Sequence, residues 1–292
     1  MPELPEVQTI VHDLGAKLNG RRFVDVDVYW QPTIAEPEAE AFRRQMIGEE
    51  ITGLWRRAKF VVMGLSGGNR LVIHLRMTGR LLWMDAEAPA DKHTRVVLHL
   101  DNGKELRLVD TRKFARIRLL TPAGFEALSA SLGIEPLGKE FTKEKLREIL
   151  RARGQKIKAL LLDQRYIVGL GNIYADEALF VARIHPLRPA NSLTAEETER
   201  LYSAIQRVLE AGIEDRGTTI DTYLDAMGRP GRHQSNLNVY HRTGEPCLRC
   251  GTPIERITIG GRSTHFCPQC QPMASPASGI SLPSRKVRSQ RG

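Results

Sequence analysis

The stretch CLRCGTPIERITIGGRSTHFCPQC, residues 247–270, holds all four cysteines of the chain as two close pairs, Cys247-x2-Cys250 and Cys267-x2-Cys270. Two thiolate pairs at this spacing close a tetrahedron around one metal ion and leave no coordination position open, so the stretch predicts one structural zinc per chain. A reducing compartment disfavours disulfides as the alternative. The segment between the pairs, Ile254 to Phe266, predicts a β-hairpin that carries Arg256 and Arg262, and a guanidinium at its tip is suited to a phosphate oxygen. Taken alone, Arg262 fits a solvated turn residue better.

Upstream of the cysteines the pattern is helical. Residues 157–163 (IKALLLD) and 169–180 (GLGNIYADEALF) read as helix, two turns, helix. Gly169-Leu170-Gly171-Asn172 ahead of the second helix offers free backbone amides at the positive end of a helix dipole, an anion site in principle and a simple capped turn in the plainer reading. Thr142 opens one helix, and Thr194-Ala195-Glu196-Glu197 carries capping-box chemistry for another near 195–212. Residues 214–238 read as a short helix followed by a mobile loop.

The first 120 residues differ. Val7, Ile10, Val11, Leu14 and Leu18 make the stripe of an amphipathic helix, with Pro5 in its first turn and Gly20 at its end. The period then falls to two. Val24, Val26 and Val28 alternate with Asp25 and Asp27, apolar runs at 60–65 and 71–75 flank Ser66-Gly67-Gly68-Asn69, and another strand pair flanks Asp101-Asn102-Gly103. The fold class is therefore α+β: an N-terminal β-sandwich flanked by helices, then a helical domain with a helix-two-turns-helix, then a zinc-binding β-hairpin finger. The expected boundaries are 1–121, 122–236 and 237–271, with a basic, disordered tail at 272–292.

Of 292 residues, 41% are hydrophobic and 26% charged, the balance of a globular protein. No apolar run is long enough for a membrane span, and the N-terminus lacks a signal-peptide pattern, so a cytoplasmic protein is expected. The formal net charge of +9 favours a polyanionic partner. Four basic residues and no acid lie beyond residue 270, so an excess of positive charge remains in the folded part. Pro2 adds a chemical possibility. Once Met1 is removed, its secondary amine is a nucleophile of lower pKa than a lysine, and the neighbouring Glu3 could move protons.

Together, PELPEV (2–7), RRAKF (56–60), HLRMTG (74–79), DTRKF (110–114), GLGNIYADEALF (169–180) and NVYHRTGEPCLRCG (238–251) resemble the formamidopyrimidine-DNA glycosylase family from residue 2 to about 271. The resemblance implies a base-excision repair enzyme for oxidised purines. Pro2 would attack C1′ of the damaged nucleotide and form a Schiff base, Glu3 would act as acid and base with Glu6 nearby, and Lys59 would stand beside the sugar and phosphate. Successive β- and δ-eliminations would make the enzyme an abasic-site lyase as well. Met77, Arg112 and Phe114 match the family's residues inserted where the base is flipped out, with Arg112 facing the orphaned cytosine. Asn172 and Arg262 match the pair that grips the lesion phosphates. Lys158 and Tyr240 would assist them, with His93 and Lys113 in the same DNA-facing set. Gly217-Thr218-Thr219 matches the start of a loop over the flipped purine. Lys113 stands where the family often has Arg, Ala115 replaces a common Gly, and RPGRHQSNLN (229–238) departs from the family pattern.

The partner implied is duplex DNA with oxidised bases, bound by a monomer in the cytoplasm at a bacterial-type nucleoid. Two other readings stand beside it. One is an endonuclease VIII-like enzyme for oxidised pyrimidines, opposed by Leu4, where that family usually has Gly, and by the Met77/Arg112/Phe114 set. The other is a noncatalytic zinc-finger DNA-binding protein, which would have no reason to keep Pro2, Glu3 and Lys59 together.

Overall fold

A computed structural model describes residues 1–273. Helix α1 (Leu4–Leu18) is followed by β1 (Phe23–Val28), β2 (Ile34–Glu36), α2 (Ala39–Met46), β3 (Ile51–Arg57), β4 (Phe60–Leu65), β5 (Arg70–His74), β6 (Gly79–Asp85), β7 (Thr94–Leu100), β8 (Lys104–Asp110) and β9 (Arg116–Leu120). Then come α3 (Pro122–Ala130), α4 (Lys143–Arg151), α5 (Ile157–Leu162), α6 (Asn172–Ala182), α7 (Ala195–Glu214), β10 (Glu255–Ile259) and β11 (Arg262–Phe266). The basic tail read from residue 272 falls, from 274 onward, outside the described residues.

The nine N-terminal strands form a four-stranded sheet, β1-β7-β8-β6, and a five-stranded sheet, β2-β9-β5-β4-β3. One apolar cluster joins Val96, Leu98, Leu106 and Leu108 of the first sheet to Val61, Met63, Leu71 and Ile73 of the second, with the α1 stripe against them. Strands β4 and β5 read as continuous apolar runs because both their faces are covered: Val62 and Val72 point away from the sandwich core to meet Phe125 and Leu128 of α3. The hairpins expected at 66–69 and 101–103 join the antiparallel pairs β4–β5 and β7–β8.

Strand β1 departs from the expected alternation. Its register against β7 slips between Phe23 and Asp25, so Phe23 and Val26 point inward and Val24 is 49% exposed.

Helices α4 to α7 enclose a second core. Leu4 belongs to this core, while the rest of the α1 stripe packs in the sandwich, and Leu4 N donates to Gly169 O at 3.0 Å. The start of α1 is thereby clamped between the two halves. The capping box of α7 is present as read, with Glu197 N donating to Thr194 Oγ1 and Thr194 N to a Glu197 carboxylate oxygen. The short helix expected after residue 214 does not form. Instead α7 runs to Glu214, Arg216 and Gly217 take left-handed conformations, and only a single 3-10 turn, His233–Asn236, follows. Side chains hold the intervening loop: Arg216 donates to Asp13 and Asp225, and Asp225 Oδ1 accepts from the backbones of Met227 and Arg229.

Candidate active site

The residue at the N-cap of helix α6 is a glycine, Gly171, which has no side chain to cap the helix. Glu3 supplies the cap from the other half of the molecule. Its carboxylate accepts from Gly171 N at 2.6 Å, Ile173 N at 2.9 Å and Tyr174 N at 3.3 Å, facing the positive end of the helix. A Cβ on Gly171 would stand 2.3 Å from the Glu3 carboxyl carbon, and one on Gly169 would stand 2.6 Å from Leu4. Both glycines of the Gly-Leu-Gly turn thus exist to admit the chain start.

Glu6 closes the other side. Its carboxylate accepts from Glu3 N at 2.7 Å, Thr218 N at 2.7 Å and Tyr174 Oη at 2.9 Å. Burial, then the neighbouring Glu3 charge, pushes its pKa up. Lys59 lies in the turn between β3 and β4 and donates from Nζ to Leu170 O at 2.8 Å. Burial drives its pKa down against the pull of Glu3 and Glu6, and Arg262 adds to the lowering. The turn is fixed by Glu135, which accepts from Arg56, Arg57 and Ala58 N and holds Ala58 at φ 51°.

Pro2, Glu6, Met77, Arg112, Thr218 and Tyr240 line one cavity of about 140 Å³, together with Met1. Met77 and Phe114 are 40% and 44% exposed, large apolar side chains held at the surface rather than in a core. Arg112 joins them, donating to Met77 Sδ at 3.2 Å and lying 4.8 Å from the Phe114 ring centre. Asp110, fully buried, builds this group: its carboxylate accepts from Thr78 Oγ1, Arg112 N, Phe114 N and Ala115 N. His93 stands behind it, its carbonyl accepting from Asp110 N. Lys113 turns aside at φ 61° and places its ammonium 3.9 Å from the Trp30 ring centre.

Asn172 opens α6 and donates from Nδ2 to Ser263 O at 2.9 Å, while its Oδ1 is buried without a partner among the described residues. This bond seats the β10–β11 hairpin on the helix and leaves the neighbouring Arg262 exposed. Tyr240 is half-buried, its hydroxyl beside Asn172, with burial pushing its pKa up. Lys158 is placed differently from a surface phosphate contact. It is fully buried, its ammonium pairs with Asp176, and Asp176 also accepts from His265 N at 3.0 Å. The residue therefore braces α6 against the hairpin from within. Glu177 does the same for the segment before the cysteines, accepting from the backbone N–H groups of Asn238, Val239 and Tyr240.

The four cysteine sulfurs lie within 4.8 Å of one another, with Cys250–Cys267 at 3.5 Å and Cys247–Cys270 at 3.9 Å. A tetrahedron of Zn–S bonds has edges of about 3.8 Å. The donor set fits one zinc ion, and no fifth ligand position is built.

Three family models match successive parts of the chain: the formamidopyrimidine-DNA glycosylase N-terminal domain over residues 1–117, the formamidopyrimidine-DNA glycosylase H2TH domain over 132–223, and a zinc finger found in FPG and IleRS over 244–272. A formamidopyrimidine-DNA glycosylase of Herpetosiphon aurantiacus is 50% identical over 272 residues, covering 93% of this chain and 100% of the relative. A Lactococcus lactis FPG variant solved with Fapy-dG containing DNA superimposes with a TM-score of 0.88 at 34% identity, covering 93% of this chain and 100% of that one. The wild-type Lactococcus lactis enzyme solved with DNA containing an oxidized pyrimidine gives 0.87 at 34% identity and the same coverage. By sequence and by fold, this chain is a member of the formamidopyrimidine-DNA glycosylase family.

Proposed function

We propose that the protein is a base-excision repair glycosylase for oxidised purines with abasic-site lyase activity. The observation that carries the reading is the position of Pro2. It opens onto the cavity while the next residue, Glu3, is locked to the start of α6, so the chain terminus is aimed at one place. Removal of Met1 frees the Pro2 nitrogen. Attack on C1′ of the flipped nucleotide forms an N–C1′ bond and breaks the glycosidic bond, with the electron pair leaving on the damaged base. The nitrogen then loses its proton and the C1′–O4′ bond breaks, O4′ taking up a proton as the sugar ring opens, which leaves the iminium, the Schiff base from which the β- and δ-eliminations proceed. Glu3 and the buried, easily deprotonated Lys59 are the groups placed to move protons there.

The base must leave the stack at a cost of a few kcal/mol, and the void needs filling. Met77 and Phe114 are exposed wedges for that gap, and Arg112 between them has free N–H donors for the orphaned base. The backbone around Gly217 and Thr218, tied to Glu6, would cover the flipped base. Asn172 and Arg262 would grip the flanking phosphates, with Tyr240 beside them and His93, Lys113 and Lys158 as supports. Zinc, when bound, supplies cross-linking of the finger and no chemistry. The working unit is a monomer on duplex DNA, organised as 1–121, 122–236 and 237–271, in the cytoplasm at a bacterial nucleoid. No helix among the described residues is long and apolar enough to cross a membrane.

Action on oxidised pyrimidines is the second reading, favoured by the Lactococcus lactis complex with DNA containing one. Base release from duplexes carrying 8-oxoguanine opposite cytosine, compared with thymine glycol, decides between them. Faster release of the purine is expected, and faster release of thymine glycol would reverse the assignment.

A further inference from the structure

A larger cleft, about 530 Å³, lies away from Pro2, where the end of α6 meets the start of α7 and the cysteine cluster. Arg183, Arg188, Arg200 and Arg249 line it, and a second cleft of about 400 Å³ shares Arg183 and Arg249 with it and adds Arg207. Two elements fix its distance from the lesion site. Asn172 begins α6 and Arg183 ends it, a run of roughly 16 Å at 1.5 Å per residue. Arg262 begins β11 and Cys267 follows its end, again roughly 16 Å at about 3.3 Å per residue. Both elements point one end at the phosphate-gripping pair and the other at this cleft.

The arginines are only partly accounted for by the fold. Arg188 pairs with Glu197. Arg200 donates to Ala182 O and Arg249 to Phe180 O, which satisfies carbonyls at the end of α6 and leaves most of each guanidinium free. Arg183 and Arg207 have no ion-pair or hydrogen-bond partner for their side chains among the described residues. Arg183 moreover sits at φ 59°, a left-handed C-cap where glycine is the unstrained choice. An exposed guanidinium is kept there against the backbone preference.

We propose that this cleft docks an acidic segment of a partner protein, independently of the DNA groove. The pocket is concave, with Arg200 and Arg249 held by helix carbonyls, the second also over the Phe180 ring, and with Arg183 unpaired beside them, which suits carboxylates presented in sequence. Glu197, Glu177 and Asp215 also line the two clefts, so the positive charge is broken into separate points, which matches spaced carboxylates rather than an unbroken phosphate backbone. Leu248, next in the chain to the lining residue Arg249, is 69% exposed. Residues 274–292 are an unsuitable occupant, because they carry four basic residues and no acid.

The test uses the full-length, zinc-loaded protein saturated with an abasic-analogue duplex, and reads the anisotropy of a fluorescein-labelled peptide of alternating Asp, Glu and Leu. Binding is expected with the duplex in place. It should weaken by about tenfold or more in the double variant Arg183→Gly/Arg200→Gln, with base excision unchanged. The glycine relieves the strained C-cap, so loss of folding does not confound the result. Unchanged peptide affinity in that variant, displacement of the peptide by the duplex, or equal binding of the Asn/Gln/Leu analogue would overturn the proposal. Stronger, variant-sensitive binding of oligo-dT would replace it with a nucleic-acid surface.

Discussion

Replacing Asp110 by Ala should loosen the group of Met77, Arg112 and Phe114 without touching any of the three. The carboxylate accepts from Thr78 Oγ1 at 2.5 Å and from the N–H groups of Arg112 at 3.1 Å, Phe114 at 2.7 Å and Ala115 at 2.8 Å. Arg112 and Phe114 are exposed, so their amides recover much of the loss by bonding to water, whereas Ala115 is fully buried and cannot. One stranded amide costs about 1–3 kcal/mol and the lost charged hydrogen bonds add to it, so the total is roughly 3–5 kcal/mol. Asp110→Asn keeps one acceptor oxygen but turns an NH2 group toward amide donors, and should cost about half as much. Urea unfolding gives these differences directly. Excision of 8-oxoguanine opposite each of the four bases gives the functional consequence, a reduced preference for cytosine as Arg112 loses its fixed position. A loss below about 1 kcal/mol with opposite-base preference intact would refute the claim that Asp110 builds this group.

Gly171→Ala drives a methyl group into the Glu3 carboxyl, and single-turnover base excision should fall at least tenfold while zinc content stays at one per chain. Lys158→Met strands Asp176 inside the protein and should cost about 3–5 kcal/mol by urea unfolding, with the double variant Lys158→Met/Asp176→Leu recovering only part of it, because His265 N then loses its acceptor. Arg262→Ala should weaken binding to a lesion duplex and flatten its salt dependence while keeping zinc, whereas Cys250→Ser should lose both, as read by metal analysis and titration. His74 is held neutral by burial, its pKa pushed down to about 3, and its Nδ1 accepts from Arg76 N. The unfolded chain therefore takes up that proton first, and stability should decline as pH falls from about 6.5 toward 3; His74→Gln should flatten this part of the profile.

The elements legible in the sequence are those whose signal is local. The α1 stripe, the two hairpins, the Thr194–Glu197 box and the cysteine pairs depend on spacing within a few residues, and each stands where spacing places it. Val24 lies outside the core because a bulge shifts the pleat by one residue, and alternation alone carries no mark of it. The helix expected after 214 gave way to a loop whose anchors, Asp13 and Asp225, lie far apart in the chain.

The site divides along the same line. Pro2, Glu3 and Lys59 stand in local motifs, whereas Asp110, Glu135 and Glu177, which hold the parts of the site in place, draw their roles from partners in other segments. A partial signal was present in α6, where Asp176 and Glu177 interrupt an apolar run with no polar face to receive them. Buried acids in such a helix call for donors from elsewhere, here Lys158, His265 and the backbone of 238–240. Lys158 shows the converse: a lysine in a DNA-facing motif whose charge is spent inside the protein.

The most direct measurement is borohydride trapping on an 8-oxoguanine duplex, with mass analysis of the cross-linked peptide. A DNA adduct on the nitrogen of Pro2, formed only by protein lacking Met1, is the predicted result. An adduct on a lysine, or full excision by protein that keeps Met1, would contradict the account.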